Sequence, residues 1–169
     1  MQKRKIKLNN NYSKGMGLME IIIGTTIISL SLVGLITAFN LFVSTGLSNT
    51  QKVQAVYILE ESIEASRYIR DSGWTANIST LSKGVPYNLA FDGSNWEATT
   101  TAQASIDNVF DRTITIEDVY RRDSDDDIVA STSPDSKTLD PNTIQITAKV
   151  LWDGGEVNTT TYFTNIFND

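Results

Sequence analysis

Glu20 is the last charged residue before an uncharged stretch that runs from Ile21 to Gln51. A carboxylate at the edge of hydrocarbon is costly unless it is paired, which makes an acid at such a place a functional candidate. The chemistry open to it is ion pairing, yet no Lys or Arg follows before Lys52, far beyond helical reach. A second set of carboxylates, Asp123, Asp125 and Asp127, alternates along the chain like the start of a calcium loop. That loop wants Gly at its sixth position, where Ile128 stands, and no Glu closes it. A solvated acidic turn accounts for the three residues, and as a calcium candidate they have low specificity. Other chemistry lacks carriers, because the chain has neither Cys nor His. The commonest general base and metal ligand is therefore missing, as are disulfides, thiolate metal sites and an acylated-Cys anchor. No Asp or Glu pair stands out for acid–base work, so the expectation is no enzyme and no cofactor.

The segment that positions Glu20 follows it directly. Ile21–Val43 is almost continuously apolar, and about 20 such residues cross a bilayer core as a helix. Thr25, Thr26, Ser29, Ser31 and Thr37 interrupt it, but hydroxyls can bond back to the preceding turn. A cleaved secretory signal has a shorter apolar run, roughly 7–15 residues, and then a small-x-small site. The apolar run here is longer, and no A-x-A pattern follows it. On the other side, residues 1–15 hold Lys3, Arg4, Lys5, Lys7 and Lys14 and no acid. Basic residues beside a span stay cytoplasmic, which places the rest of the chain outside. Removing them leaves nine basic against 20 acidic side chains in 16–169, a net of −11. So acidic a body repels a phosphate backbone, and nucleic acid is not an expected partner.

Beyond the span, Ala55, Ile58, Leu59, Ser62, Ala65, Ser66 and Ile69 recur at three- and four-residue spacing and predict one small-to-apolar helical stripe. Glu60, Glu61, Glu64, Arg67, Arg70 and Asp71 lie off it as a solvated face. Gly73 is placed to end the helix in a left-handed cap. One helix over residues 17–72 would be on the order of 80 Å long. From Trp74 the period changes to short β-type runs. Tyr87–Phe91 and Trp96–Thr101 flank Asp92-Gly93-Ser94-Asn95, and Thr143–Trp152 and Glu156–Phe163 flank Asp153-Gly154-Gly155, predicting two hairpins. Val109–Tyr120 alternates as a strand, with Phe110, Arg112, Ile114, Ile116 and Asp118 on one face. Residues 123–142, rich in Asp, Ser and Pro, predict a long loop. Ile144, Ile146, Ala148 and Val150 face one way, so one side of the sheet must be covered. The helical stripe is the simplest cover, giving an α+β fold with a long N-terminal helix on a C-terminal antiparallel sheet.

The string Lys14-Gly15-Met16-Gly17-Leu18-Met19-Glu20 before the apolar run resembles the processing site of type IV prepilins and type II secretion pseudopilins. Leu59-Glu60-Glu61-Ser62-Ile63-Glu64-Ala65 is similar to minor pilins as well. The resemblance implies cleavage between Gly15 and Met16, N-methylation of Met16, and a subunit-assembly role for Glu20, which becomes fifth in the mature chain. Glu20 would then meet the Met16 amine of a neighbouring subunit. Met16 stands where Phe is more frequent, and the span lacks the mid-helix Pro of some members. The implied partners are a prepilin peptidase, other pilins, a platform membrane protein and an assembly ATPase, and the implied fold is pilin-like. The implied location is the cytoplasmic membrane, single-pass with the head outside, and then a pilus, pseudopilus or cell surface.

The expected organisation is a basic leader (1–15), a transmembrane and assembly helix (16–48), an amphipathic helix (49–73) and a β-sheet head (74–169). A signal-anchored, single-pass binding domain that never polymerises is the alternative. Trp74, Trp96 and Trp152 are read as packing residues. Asn77-Ile78-Ser79 and Asn158-Thr159-Thr160 match the glycosylation sequon, a pattern that arises readily by chance.

Overall fold

The computed structural model describes residues 16–167. They form a long helix α1 (Met16–Asp71), a single-turn helix α2 (Trp74–Asn77) and six strands. The strands are β1 (Pro86–Phe91), β2 (Trp96–Thr99), β3 (Asp111–Arg122), β4 (Ile128–Val129), β5 (Lys137–Trp152) and β6 (Gly155–Thr164). Every pairing is antiparallel, in the order β2-β1-β3-β5-β6, with β4 beside the far end of β3. The architecture is α+β, with helix packed on sheet as the patterning predicted. The described residues fall into two compact units that part between Leu47 and Ser48.

In the first unit α1 is apolar on every side, and none of its most apolar stretch is buried. It is the helix long and apolar enough to cross a membrane. Four of the five hydroxyls expected to bond back do so: Thr25 and Thr26 donate to Ile22 O, Ser31 to Ile27 O and Thr37 to Val33 O, at 2.7–3.0 Å. Their polarity is thereby satisfied within the helix.

In the second unit the small-to-apolar stripe does what its spacing predicts. Ala55, Leu59, Ser62, Ala65, Ser66 and Ile69 are buried, and Ile58 is half-buried. They join Ile114, Ile116, Ile144, Ile146, Ala148, Val150, Trp152 and Phe163 of the sheet in one core. Ser62 and Ser66 are small enough to let the helix settle close. Their hydroxyls donate to Ile58 O and Ser62 O at 2.6 and 2.7 Å, so no buried donor is stranded.

Three expectations need correction. Gly73 does end α1, but with φ 139 and ψ 113 it is not in the left-handed helical region. It leads into α2, which buries Trp74 where strand was expected to begin, and Ile78 follows it into the core. Second, the hairpin after Trp152 forms, but Gly155, expected in the turn, is the first residue of β6 and pairs opposite Trp152. Neither Asp153 nor Gly154 has positive φ, so the turn is not of the primed kind, and Gly155 at φ 150 meets the glycine requirement instead. Third, 123–142 is not one loop. β4 pairs with β3, and β5 already begins at Lys137. The register shift between Asp118 and Val119 moves the partner from Ile144 to Asp140, and Pro141 lies inside that interruption. A proline cannot donate to a ladder, but at such a break it need not.

Candidate assembly segment and acidic loop

Gly15 and the basic leader lie outside the described residues, and so does the side chain of Met16. The backbone of α1 begins at Met16, which puts Glu20 just past the first turn. There the helix dipole has largely faded, so it offers the carboxylate little. The Glu20 side chain is exposed, and among the described residues it has no hydrogen-bond or ion-pair partner. Gly17 and Gly24 flank it on the same helical face, three residues before and four after. A Cβ at either glycine would meet nothing within 4 Å. No contact among the described residues therefore demands glycine at these positions. The sequence reading overlooked a longer pattern: Gly17, Gly24, Ser31, Ala38 and Thr45 are all small and recur at every seventh residue.

The acidic loop is built around Arg122 at the end of β3. Its Nη1 lies 2.7 Å from Asp125 Oδ2 and its Nε 2.9 Å from Asp135 Oδ2, with Asp127 Oδ2 farther off at 3.9 Å. Asp123 accepts from the Ser136 hydroxyl and, at 2.8 Å, from Thr138 Oγ1. These two hydroxyls hold the Asp123 carboxyl below the ordinary aspartate value. Arg122 and then Ser133 do the same for Asp135. The Arg122 guanidinium is pushed up in turn by its bonds to Asp135 and Asp125. Burial pushes Asp140 up, but bonds from Arg121, Thr143 and the Asn142 N–H outweigh it and lower the carboxyl. The Arg121 Nε sits 2.7 Å from Asp140 Oδ2, tying β3 to β5.

Asp125 and Asp127 thus face the Arg122 guanidinium, while Asp123 turns across to Ser136 and Thr138, so the three carboxylates do not converge on one open centre. Among the described residues no group of three His, Cys, Asp or Glu side chains could hold a metal ion. The run reads as a clasp that closes β3, β4 and β5 at one end.

Trp74 and Trp152 are buried and Trp96 is half-buried. Of the sequon residues, Asn158 is exposed on β6, whereas Asn77 is half-buried with its amide 3.5 Å from Ile69 O. Sequence reasoning placed Arg112 on the apolar face of β3 but gave it no role. It is nine-tenths buried, with its guanidinium 4.9 Å above the Trp96 ring. Comparison with models of protein families, with curated proteins and with solved structures finds no match to this chain.

Proposed function

We propose that the chain is a structural subunit, a minor pilin or pseudopilin, of a type IV pilus-like or type II secretion-like filament. A prepilin peptidase cuts it after Gly15, Met16 becomes the methylated N-terminus, and α1 carries it from the membrane into a helical bundle. The observation that carries the reading is the apolar first part of α1, its most apolar stretch unburied, entered through Lys14-Gly15-Met16-Gly17-Leu18-Met19-Glu20. Burial of that helix against sister helices is the driving force, on the order of 25 cal/mol per Å² of apolar surface covered. The small residues at every seventh position support the same reading, because small side chains let helices approach closely within lipid and filament alike. Glu20, without a partner among the described residues, is free to take the Met16 amine of an adjoining subunit. Platform protein, assembly ATPase and other pilins are the partners such a route needs.

Mass spectrometry of the N-terminus, on protein from membranes and from sheared appendages, tests this. The expected species begins at methylated Met16, and Gly15→Val abolishes it. Protein that begins at Met1 in both fractions overturns processing and favours a signal-anchored binding domain that does not polymerise.

A further inference from the structure

β6 ends the sheet: it pairs with β5 along its whole length, and among the described residues no strand lies on its other side. The two-residue turn makes Trp152 and Gly155 a hydrogen-bonded pair, and the ladder alternates from there without a register shift. The N–H and C=O groups of Glu156, Asn158, Thr160 and Tyr162 therefore point away from β5, towards the open edge. The Thr160 and Thr147 hydroxyls approach to 2.9 Å, as befits a pair that exchanges no backbone bonds. Natural sheets blunt such an edge with Lys, Pro or a bulge. Glu156–Thr164 has none of these, and its Val, Thr, Tyr and Phe residues favour strand. The opposite edge, β2, is only four residues long.

Beside this edge α1 leaves the inner face of the sheet uncovered. Ala148 is fully buried, yet its cross-strand partner Thr159, on the same face, is exposed. Between Thr159 and α1 opens a groove of about 520 Å³, walled by Val56, Leu59 and Ile63 with Glu60, Glu64 and Arg67 also lining it. Val56 and Ile63 lie two turns apart, about 10 Å. That is room for two inward side chains of an extended chain, which recur about every 7 Å. A free strand edge facing an apolar helix surface is the geometry of strand addition: the edge supplies main-chain bonds and the groove takes alternate side chains. Charge selects among strands. Glu64 already holds Arg67, and Glu60 has no partner among the described residues, so the lining is net negative on an acidic body. A basic strand is drawn in and an acidic one repelled.

We propose that the open edge of β6 takes up an extended basic segment of a partner protein as a further strand, with alternate apolar side chains in the groove. Fluorescence anisotropy of a labelled peptide, Lys-Thr-Val-Thr-Val-Thr-Lys, titrated with the full chain in neutral detergent, tests it. Saturable one-to-one binding is expected. The same peptide N-methylated along its backbone keeps its side chains but lacks its donors, and should not bind. Glu-Thr-Val-Thr-Val-Thr-Glu should bind at least tenfold more weakly. Thr160→Pro removes an N–H that faces the open edge and not the β5 ladder, and Val56→Lys puts a cation in the groove; each should weaken binding about tenfold. The N-methylated peptide keeps the test sound even if Thr160→Pro unfolds the head. No saturable binding of the basic peptide overturns the proposal. So does equal binding of its N-methylated or acidic counterpart. A free chain that is already dimeric, and that Thr160→Pro splits into folded monomers, overturns it too, because the occupant is then a second copy.

Discussion

Nη1 of Arg112 on β3 lies 3.2 Å from Oε2 of Glu61 on α1, joining the inner face of the sheet to the helix that covers it. The two partners differ in surroundings: Arg112 is nine-tenths buried, while the Glu61 side chain is 51% exposed. Nη1 is within ion-pair distance but makes no hydrogen bond, so Glu61 is its main compensation. The guanidinium also stacks over Trp96 of β2, so one side chain gathers helix, central strand and edge strand.

The asymmetry predicts which partner matters more. Glu61→Gln leaves a buried cation poorly compensated and destabilises the fold by about 1–2 kcal/mol. Arg112→Met removes the charge, keeps the packing stem and costs less, within about 1 kcal/mol, because solvent takes up Glu61. Urea unfolding followed by tryptophan fluorescence reports both. If Arg112→Met is the more damaging change, the pair is a stabilising bridge and not a buried charge kept tolerable by its partner.

At the tip of the β5–β6 hairpin, a Cβ on Gly154 would lie 2.8 Å from Trp152 Nε1 and 3.2 Å from Cδ1. The indole is buried and belongs to the core, so it cannot swing away freely. Gly154→Ala should therefore cost about 1–3 kcal/mol through overpacking. Gly93→Ala, whose Cβ would meet nothing within 4 Å, tests backbone conformation alone at φ 98. A Gly154→Ala variant that melts with the wild type would show that Trp152 yields.

The large features of this fold were legible because they are periodic. The stripe from Ala55 to Ile69 and the alternation from Ile144 to Val150 each bury the face their spacing predicts. The hairpin pair of Phe91 with Trp96 was readable from turn residues, whereas Gly155, counted with the second turn, pairs opposite Trp152. What misled lies in side chains that act across strands. Asp, Ser and Pro in 123–142 have loop composition, yet bonds from Arg121 and Arg122 to Asp140 and Asp135 hold β5 in place from Lys137 onward. Pro141 argued for a loop and falls at the one register break that tolerates it. The row of Glu117, Gln145 and Tyr162 across the sheet was not legible either, because they lie on three strands and meet only through register.

Glu20→Ala separates insertion from assembly. The apolar helix after it is unchanged, so membrane insertion and cleavage after Gly15 should proceed at wild-type levels. Incorporation into filaments should fall by tenfold or more, about 1.4 kcal/mol, if an ion pair in a low-dielectric bundle is lost. Quantifying the variant in membrane and sheared-filament fractions decides this. Normal recovery in filaments would mean that Glu20 sits at the bundle surface and is solvated.

The clasp around Arg122 should fail in acid before the core does. Asp123, Asp135 and Asp140 have folded-state values below the ordinary aspartate value, held there chiefly by Ser136, by Arg122 and, against burial, by Arg121 respectively. A group depressed in the folded state stabilises above its unfolded pKa, and that contribution disappears as pH falls through the folded value. Protection of amides in 123–140 should thus be level near neutrality and decline as pH drops through and below the ordinary aspartate range. Arg122 is raised and stays charged throughout, so the pH dependence belongs to the carboxylates. Arg122→Gln removes the donor to Asp135, so its profile should be flatter than that of the wild type. Hydrogen exchange between about pH 6 and about pH 2 measures this, with buried Ile146 and Val150 as internal reference. If 123–140 and the reference lose protection together, the clasp is not a separate unit but part of one cooperative transition.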